Sequence, residues 1–234
     1  MIDFHSHILP NIDDGSKSLD ESIQLLKEAV EAGFDKVIST SHYASGLYES
    51  PERERISLIN ELKSLKNIPK LYLGSEIYIT YNIPELIEEA KASTINGTNY
   101  ILFEIPLRER YPEFRNTILK LQDSGYRLIL AHPERYKLVQ DHYEILDELS
   151  DIGVVFQSNI ASILGIYGND AKKTFKRMLK DGYVDLLGTD VHFPNSIYPK
   201  VSKALKKISK YVDEDELYMM TTENAERILR GESL

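Results

Sequence analysis

Six histidines and a set of acidic residues are spread along this 234-residue chain at places where they could do chemistry together. His5 and His7 form a His-x-His pair near the start. On an extended segment, residues two apart face the same side, so both imidazoles can turn to one ion. His42, Glu76, Glu104, His132, Asp190 and His192 are further candidates. Imidazole with carboxylate and no thiolate suits Mn²⁺, Fe or Zn²⁺ in a reactive centre rather than a structural zinc. The candidates are too many for one tetrahedral ion, which implies two or three divalent ions bridged by carboxylate or hydroxide. Asp13 and Asp14 lie in Asn11-Ile12-Asp13-Asp14-Gly15 and could be a turn and N-cap pair before a helix starting near Ser18. With two histidines just upstream, Asp14 is expected to be a ligand and Asp13 its orienting neighbour. His142 lies well past a strand end and is set aside as a surface residue. Of the 15 tyrosines, only Tyr43 is considered for a substrate contact.

What unites the candidates is their place relative to the elements that would carry them. Seven runs read as strands: Ile2–Phe4, Lys36–Thr40, Lys70–Gly74, Tyr100–Phe103, Arg127–Ala131, Gly153–Gln157 and Val184–Gly188. His5 and His7 follow the first, His42 the second, Glu76 the third, Glu104 the fourth, His132 the fifth, and Asp190 with His192 the seventh. Segments of helical period separate them: Leu19–Ala32, Glu52–Leu65, Pro84–Ala92, Pro112–Ser124, Tyr143–Asp151, Ala171–Asp181, Tyr198–Tyr211 and Glu214–Arg230. Gly33, Gly125, Gly153 and Gly182 follow such helices, where a left-handed residue is commonly needed. Strands alternating with helices predict a parallel sheet. Ligands at six of seven strand ends predict a barrel whose C-terminal face holds the site. An open doubly wound sheet would call for a Gly-rich phosphate loop after the first strand, and none is present. No linker or short repeat divides residues 1–234, so a single domain is expected.

Composition narrows the partners. A net charge of -9 argues against a nucleic-acid backbone as the main ligand. Phosphate remains accessible, because bound cations can reverse the local field. The absence of cysteine removes disulfides, thiolate sites and a cysteine nucleophile together. No basic-then-apolar leader and no run of about 18 apolar residues is seen. The expectation is a cytoplasmic protein rather than a membrane one.

The quoted residues carry a resemblance. Met1-Ile2-Asp3-Phe4-His5-Ser6-His7-Ile8-Leu9-Pro10-Asn11-Ile12-Asp13-Asp14-Gly15, with Ser39-Thr40-Ser41-His42, Ala131-His132-Pro133-Glu134-Arg135 and Gly188-Thr189-Asp190-Val191-His192, is similar to the PHP superfamily. Within it, the chain resembles the bacterial tyrosine phosphatases encoded beside capsule and exopolysaccharide genes. The resemblance reaches from residue 1 to the Thr222–Leu229 stretch. It implies a distorted seven-stranded, TIM-like (β/α)7 barrel of the PHP fold and a three-metal centre commonly supplied with Mn²⁺. It also implies hydrolysis of phosphotyrosine on the C-terminal tail of a partner tyrosine kinase, and assembly into a homo-oligomer in related enzymes. By motif, His5, His7, Glu76 and Asp190 would hold one ion. Glu76, Glu104 and His132 would hold a second, and Asp14, His42 and His192 a third. Arg135 matches an arginine that grips phosphate, and Asp190 would protonate the leaving group or orient the nucleophile. The chain departs from the pattern in 193–200, which lacks the second arginine common there; Lys200 is the nearest, weaker substitute. Competing readings on the same scaffold are a histidinol-phosphate-type phosphatase, a phosphodiesterase, or a metal-binding module without turnover; the full ligand set argues against the last.

Overall fold

The computed structural model describes residues 1–107 and 114–234. Its strands are β1 (Ile2–Ser6), β2 (Lys36–Ser39), β3 (His42–Tyr43), β4 (Lys70–Leu73), β5 (Glu76–Tyr78), β6 (Tyr100–Glu104), β7 (Arg127–Ala131), β8 (Val155–Asn159) and β9 (Leu186–Gly188). All pairings between them are parallel. They form a three-stranded sheet, β1-β2-β4, and a six-stranded sheet, β3-β5-β6-β7-β8-β9.

Where seven strands were expected, the described residues hold nine strand segments in two sheets. Two of the seven predicted runs end at a break, Thr40-Ser41 and Gly74-Ser75, beyond which a short further strand, β3 or β5, continues in the other sheet. Backbone bonds explain the step: Thr40 N–H donates to Ser6 O, Gly74 N–H to Ser39 O, and Glu76 N–H to Thr40 O. At the far edge the chain after β9 returns to β1. Ser6 pairs with Val191, His7 N–H donates to Val191 O at 2.9 Å, and Asp190 N–H donates to His5 O at 2.8 Å. The result is a curled parallel sheet within one α/β unit.

Helices cover it. They are α1 (Leu19–Glu31), α2 (Glu52–Lys63), α3 (Ile83–Glu88), α4 (Phe114–Asp123), α5 (Lys137–Asp141), α6 (Ile145–Asp151), α7 (Asn169–Asp181), α8 (Val201–Ile208), α9 (Glu214–Tyr218) and α10 (Asn224–Leu229), the last two joined by a π-helical turn. Helix α1 starts where Ser18 accepts the Glu21 N–H, a side-chain cap. The start predicted for α4, Pro112-Glu113, lies outside the described residues. Gly33, Gly125, Gly153 and Gly182 all take positive φ after a helix, as the sequence demanded.

Both faces of the sheet are buried, as parallel strands require. Along β6, Ile101 and Phe103 join the large core beneath the helices, whereas Tyr100 and Leu102 join a smaller cluster on the opposite face. Ile129 and Ala131 of β7 and Leu186 of β9 share that smaller cluster, and Ala225, Ile228 and Leu229 of α10 close it. The pleat has a period of two, so the next residues outward on this same face are Glu104 beyond Leu102, Gln157 and Asn159 beyond Val155, and Gly188 beyond Leu186. The apolar cluster is thus the floor on which polar strand ends stand.

Candidate metal centre

Strand β1 delivers His5 and His7, both fully buried. His5 Nε2 lies 3.0 Å from Glu76 Oε2 and 3.6 Å from Asp190 Oδ1; His7 Nε2 lies 3.3 Å and 3.4 Å from the same two oxygens. These four donors converge closely enough to hold one ion. Asp190 reaches them from a left-handed backbone, φ 53°, at the end of β9, an uncommon geometry for a residue with a Cβ. The two histidine Nε2 atoms are 3.1 Å apart. His7 Nδ1 is 2.8 Å from the Asp13 carboxylate and His5 Nδ1 2.7 Å from Gln157 Oε1, so each outer nitrogen carries the proton. With the rings neutral, as ion binding requires, the inner nitrogens would face each other as lone pairs, a geometry that a shared cation satisfies and a hydrogen bond between two neutral rings does not.

Two further groups adjoin the first. His7, Asp14, His42 and His192 form one, with Asp14 Oδ1 3.6 Å from His42 Nε2 and 3.4 Å from His192 Nε2. His192 Nδ1 donates to the Asp190 carbonyl at 2.9 Å, which frees Nε2. Asp14 is half exposed, while Asp13 is turned inward onto His7, the His42 N–H and the Gly15 N–H. The remaining group is His42, Glu76 and Glu104, with His42 Nδ1 3.2 Å from each carboxylate. The resemblance placed His132 there. In the structure the left-handed backbone of His132, φ 35°, directs its Nε2 to the other Glu76 oxygen, at 2.8 Å. Glu76 touches four histidines in all and is the hub of the cluster.

The electrostatics follow from this crowding. Burial opposes a charge on His7, yet Asp13, Asp190 and Glu76 hold its pKa well above the usual value. Burial likewise opposes charge on His42, but Glu76 and Glu104 push it up to about 9. Against the cost of burial, His5 and His42 hold Glu76 well below the carboxylate range, and His5 and its neighbours do the same for Asp190. The neighbouring His192 lowers Asp14. The carboxylates are thus kept ionised and demand positive charge.

These groups line a cavity of about 300 Å³ with Asp14, His42, Glu76, Glu104, His132, Arg135, Asp190 and His192 at its wall. Arg135 donates to Asp190 Oδ2 at 2.6 Å and lies over the Tyr167 ring, 4.5 Å from its centroid. Leu47, Tyr48, Tyr78 and Leu107 form the apolar side of the opening. A larger cleft of about 660 Å³ between α2 and β4 contains no histidine, so the chemistry belongs to the smaller one.

The sequence reading missed several participants. Tyr48 rather than the expected Tyr43 faces the cavity: successive strand residues point opposite ways, so Tyr43, next to His42, is buried away from it, while Tyr48 stacks on His42 at 5.6 Å. Asp3 accepts from Thr189 N–H, Thr189 Oγ1 and Tyr198 OH, and burial pushes its pKa up to about 6. Gln157 and Asn159 carry no titratable group to draw attention. Lys200 is exposed and donates to Ser196 O, away from the cavity. His142 lies beside Glu144, 46% exposed and outside the cluster.

Comparison with known proteins adds an independent line. The family model for capsular polysaccharide synthesis, CpsB/CapC, matches residues 1–230. CapC of Staphylococcus aureus is 35% identical over 243 residues, covering 100% of this chain and 93% of that one. The tyrosine-protein phosphatase YwqE of Bacillus subtilis is 30% identical over 239 residues, with the same coverage. Among solved structures, one from work on YwqE of Bacillus subtilis and CpsB of Streptococcus pneumoniae, described as metal-dependent tyrosine phosphatases, superposes with a TM-score of 0.90 at 28% identity, covering 100% of this chain and 96% of that one. A histidinol phosphate phosphatase from Lactococcus lactis superposes at 0.58 with 18% identity, a likeness of fold alone.

Proposed function

The chain belongs to the capsular polysaccharide synthesis CpsB/CapC family, and on that premise we propose that it is a metal-dependent protein-tyrosine phosphatase. The observation that carries the reading is the convergence of His5, His7, Glu76 and Asp190 on one point beside a cavity walled by Arg135. In this reading His5, His7, Glu76 and Asp190 hold one divalent ion and Asp14, His42 and His192 hold another. Glu76 and Glu104 hold a third with His42 or His132, and Mn²⁺ is the expected metal. Such ions supply Lewis acidity, making water nucleophilic near neutral pH and offsetting phosphoryl charge.

The chain's own side chains do the rest. Arg135 spends one nitrogen on Asp190 and has further N–H groups for the phosphoryl oxygens. Leu47, Tyr48, Tyr78 and Leu107 give the substrate ring an apolar wall. Asp190 Oδ2 is engaged by Arg135 and Asn159, and Oδ1 faces His5 and His7. It therefore holds and orients rather than delivering a proton. A phenol with a pKa of about 10 departs as phenolate far more readily than a serine alkoxide, so an acid is least needed for phosphotyrosine. We read the nine strand segments as a distorted seven-stranded barrel with two broken strands, and residues 1–234 as one domain. The substrate we propose is the phosphorylated C-terminal tail of a tyrosine kinase, met in the cytoplasm. The test is hydrolysis of p-nitrophenyl phosphate with added Mn²⁺, then of a phosphotyrosine peptide, a phosphoserine peptide and histidinol phosphate. Phosphotyrosine should be strongly preferred; preference for histidinol phosphate would overturn the assignment.

A further inference from the structure

One predicted strand end, that of Gly153–Gln157, carries neither histidine nor carboxylate. The strand observed there, β8, ends at Asn159 and places two buried amides, Gln157 and Asn159, on one face. We propose that these two amides are positioning residues: a single directional hydrogen-bond chain that fixes His5 and Asp190 together for metal binding, resting on the metal-centre reading above.

The polarity of the chain can be worked out from one end. Asp190 Oδ2 is a carboxylate oxygen that already accepts from Arg135, so it can only accept from Asn159, whose Nδ2 lies 2.7 Å away. That turns Asn159 Oδ1 toward Gln157, where it needs a donor, and Gln157 Nε2 stands at 3.2 Å. Gln157 must then present Oε1 to His5 Nδ1, at 2.7 Å, and an amide oxygen there requires that nitrogen to carry the proton. In the neutral ring Nε2 is left to offer its lone pair to an ion held between it, Glu76 and Asp190. Neither amide can flip alone without setting donor against donor or acceptor against acceptor.

The surroundings are built to keep this chain in place. The Asn159 backbone N–H donates to Glu134 Oε1 at 2.9 Å, and the same oxygen accepts from Ser162 Oγ at 2.6 Å, which ties down the end of β8. Gly188 leaves the space that Gln157 occupies: a Cβ at that position would sit 2.9 Å from Gln157 Nε2 and 2.6 Å from His5 Cβ. Residues that orient metal ligands from behind commonly change metal affinity by roughly ten- to a hundredfold when lost.

The experiment measures Mn²⁺ affinity of the full chain by calorimetry after chelation and dialysis, with the melting temperature of each metal-free protein as a control. Gln157→Leu and Asn159→Ala should each bind Mn²⁺ roughly ten- to a hundredfold more weakly, with metal-free melting temperatures near that of the parent. Because each cut breaks the same chain, the double variant should be no more than about threefold weaker than the weaker single one. Unchanged affinity in a folded single variant, or losses that multiply in the double, would overturn the proposal. Where Gln157→Leu fails to fold, Asn159→Ser carries the same expectation. Failure of the parent protein itself to bind Mn²⁺ would instead sink the metal-centre reading.

Discussion

Replacing Arg135 tests how the site grips phosphate. The side chain is 23% exposed, held by Asp190 Oδ2 at 2.6 Å and by stacking on Tyr167, so its fork is already oriented before substrate arrives. A hydrogen bond to a charged group contributes about 1.5–3 kcal/mol, and about 1.4 kcal/mol is a factor of ten. Arg135→Ala should therefore lower kcat/KM by about 10- to 150-fold, equally for p-nitrophenyl phosphate and a phosphotyrosine peptide, since both present the same phosphoryl group. Arg135→Lys should fall between, keeping the charge but losing the planar fork. No second arginine occupies 193–200, and Lys200 faces Ser196, so Lys200→Ala should stay within about twofold of the parent. Steady-state kinetics at saturating Mn²⁺, with metal content checked for each variant, decide the matter. An Arg135→Ala enzyme with full metal and unchanged kcat/KM would remove Arg135 from the site.

Glu76→Gln should lower bound transition metal by more than one equivalent per chain, because Glu76 touches four histidines; elemental analysis beside a chelated control measures it. Gly188→Ala should lower the melting temperature by several degrees and weaken Mn²⁺ binding, since the new Cβ would lie 2.6 Å from His5 Cβ; retention of both would contradict the close approach. His142→Ala should leave activity within about twofold of the parent, and a loss as large as that of His132→Ala would mean the site residues are misassigned. Burial pushes Asp185 from 3.8 up to about 6, so its contribution to stability is fully present below about pH 4 and lost as pH rises through 6. Asp185→Asn, which keeps an acceptor for the Phe156 N–H, should gain up to about 3 kcal/mol at pH 7 and flatten the pH 4–7 stability profile; a parallel profile would refute it.

Much of the fold was legible because parallel strands announce themselves as short apolar runs between helical periods, and glycine marks the helix ends. The breaks in two strands were not legible. Nothing in Lys36–Thr40 or Lys70–Gly74 declares that the backbone will step from one sheet to the other, because the step is written in bonds to distant partners such as Ser6 and Thr40. Arg55 shows the same limit: on a helix face it reads as a solvated charge, yet it is buried, donating to Ser75 at one break and to Lys91 O at 2.9 Å.

The site divides along similar lines. Histidines and carboxylates at strand ends are visible because their chemistry is rare in ordinary packing and their spacing follows the strands. Residues that act from behind them have no such signature. Gln157 is the last residue of the predicted strand and Asn159 lies beyond it, and an amide at either place is unremarked in a sequence. Only the two-residue extension of β8 sets both on the face that already carries Ala131 and Leu186, directly outward of the apolar cluster. Each outer nitrogen of His5, His7 and His192 then finds an acceptor, Gln157, Asp13 and the Asp190 carbonyl in turn, so that in the neutral rings each inner nitrogen turns its lone pair toward the cavity. The direction of those lone pairs depends on acceptors up to 152 residues away in the chain, so it belongs to the fold and not to any motif.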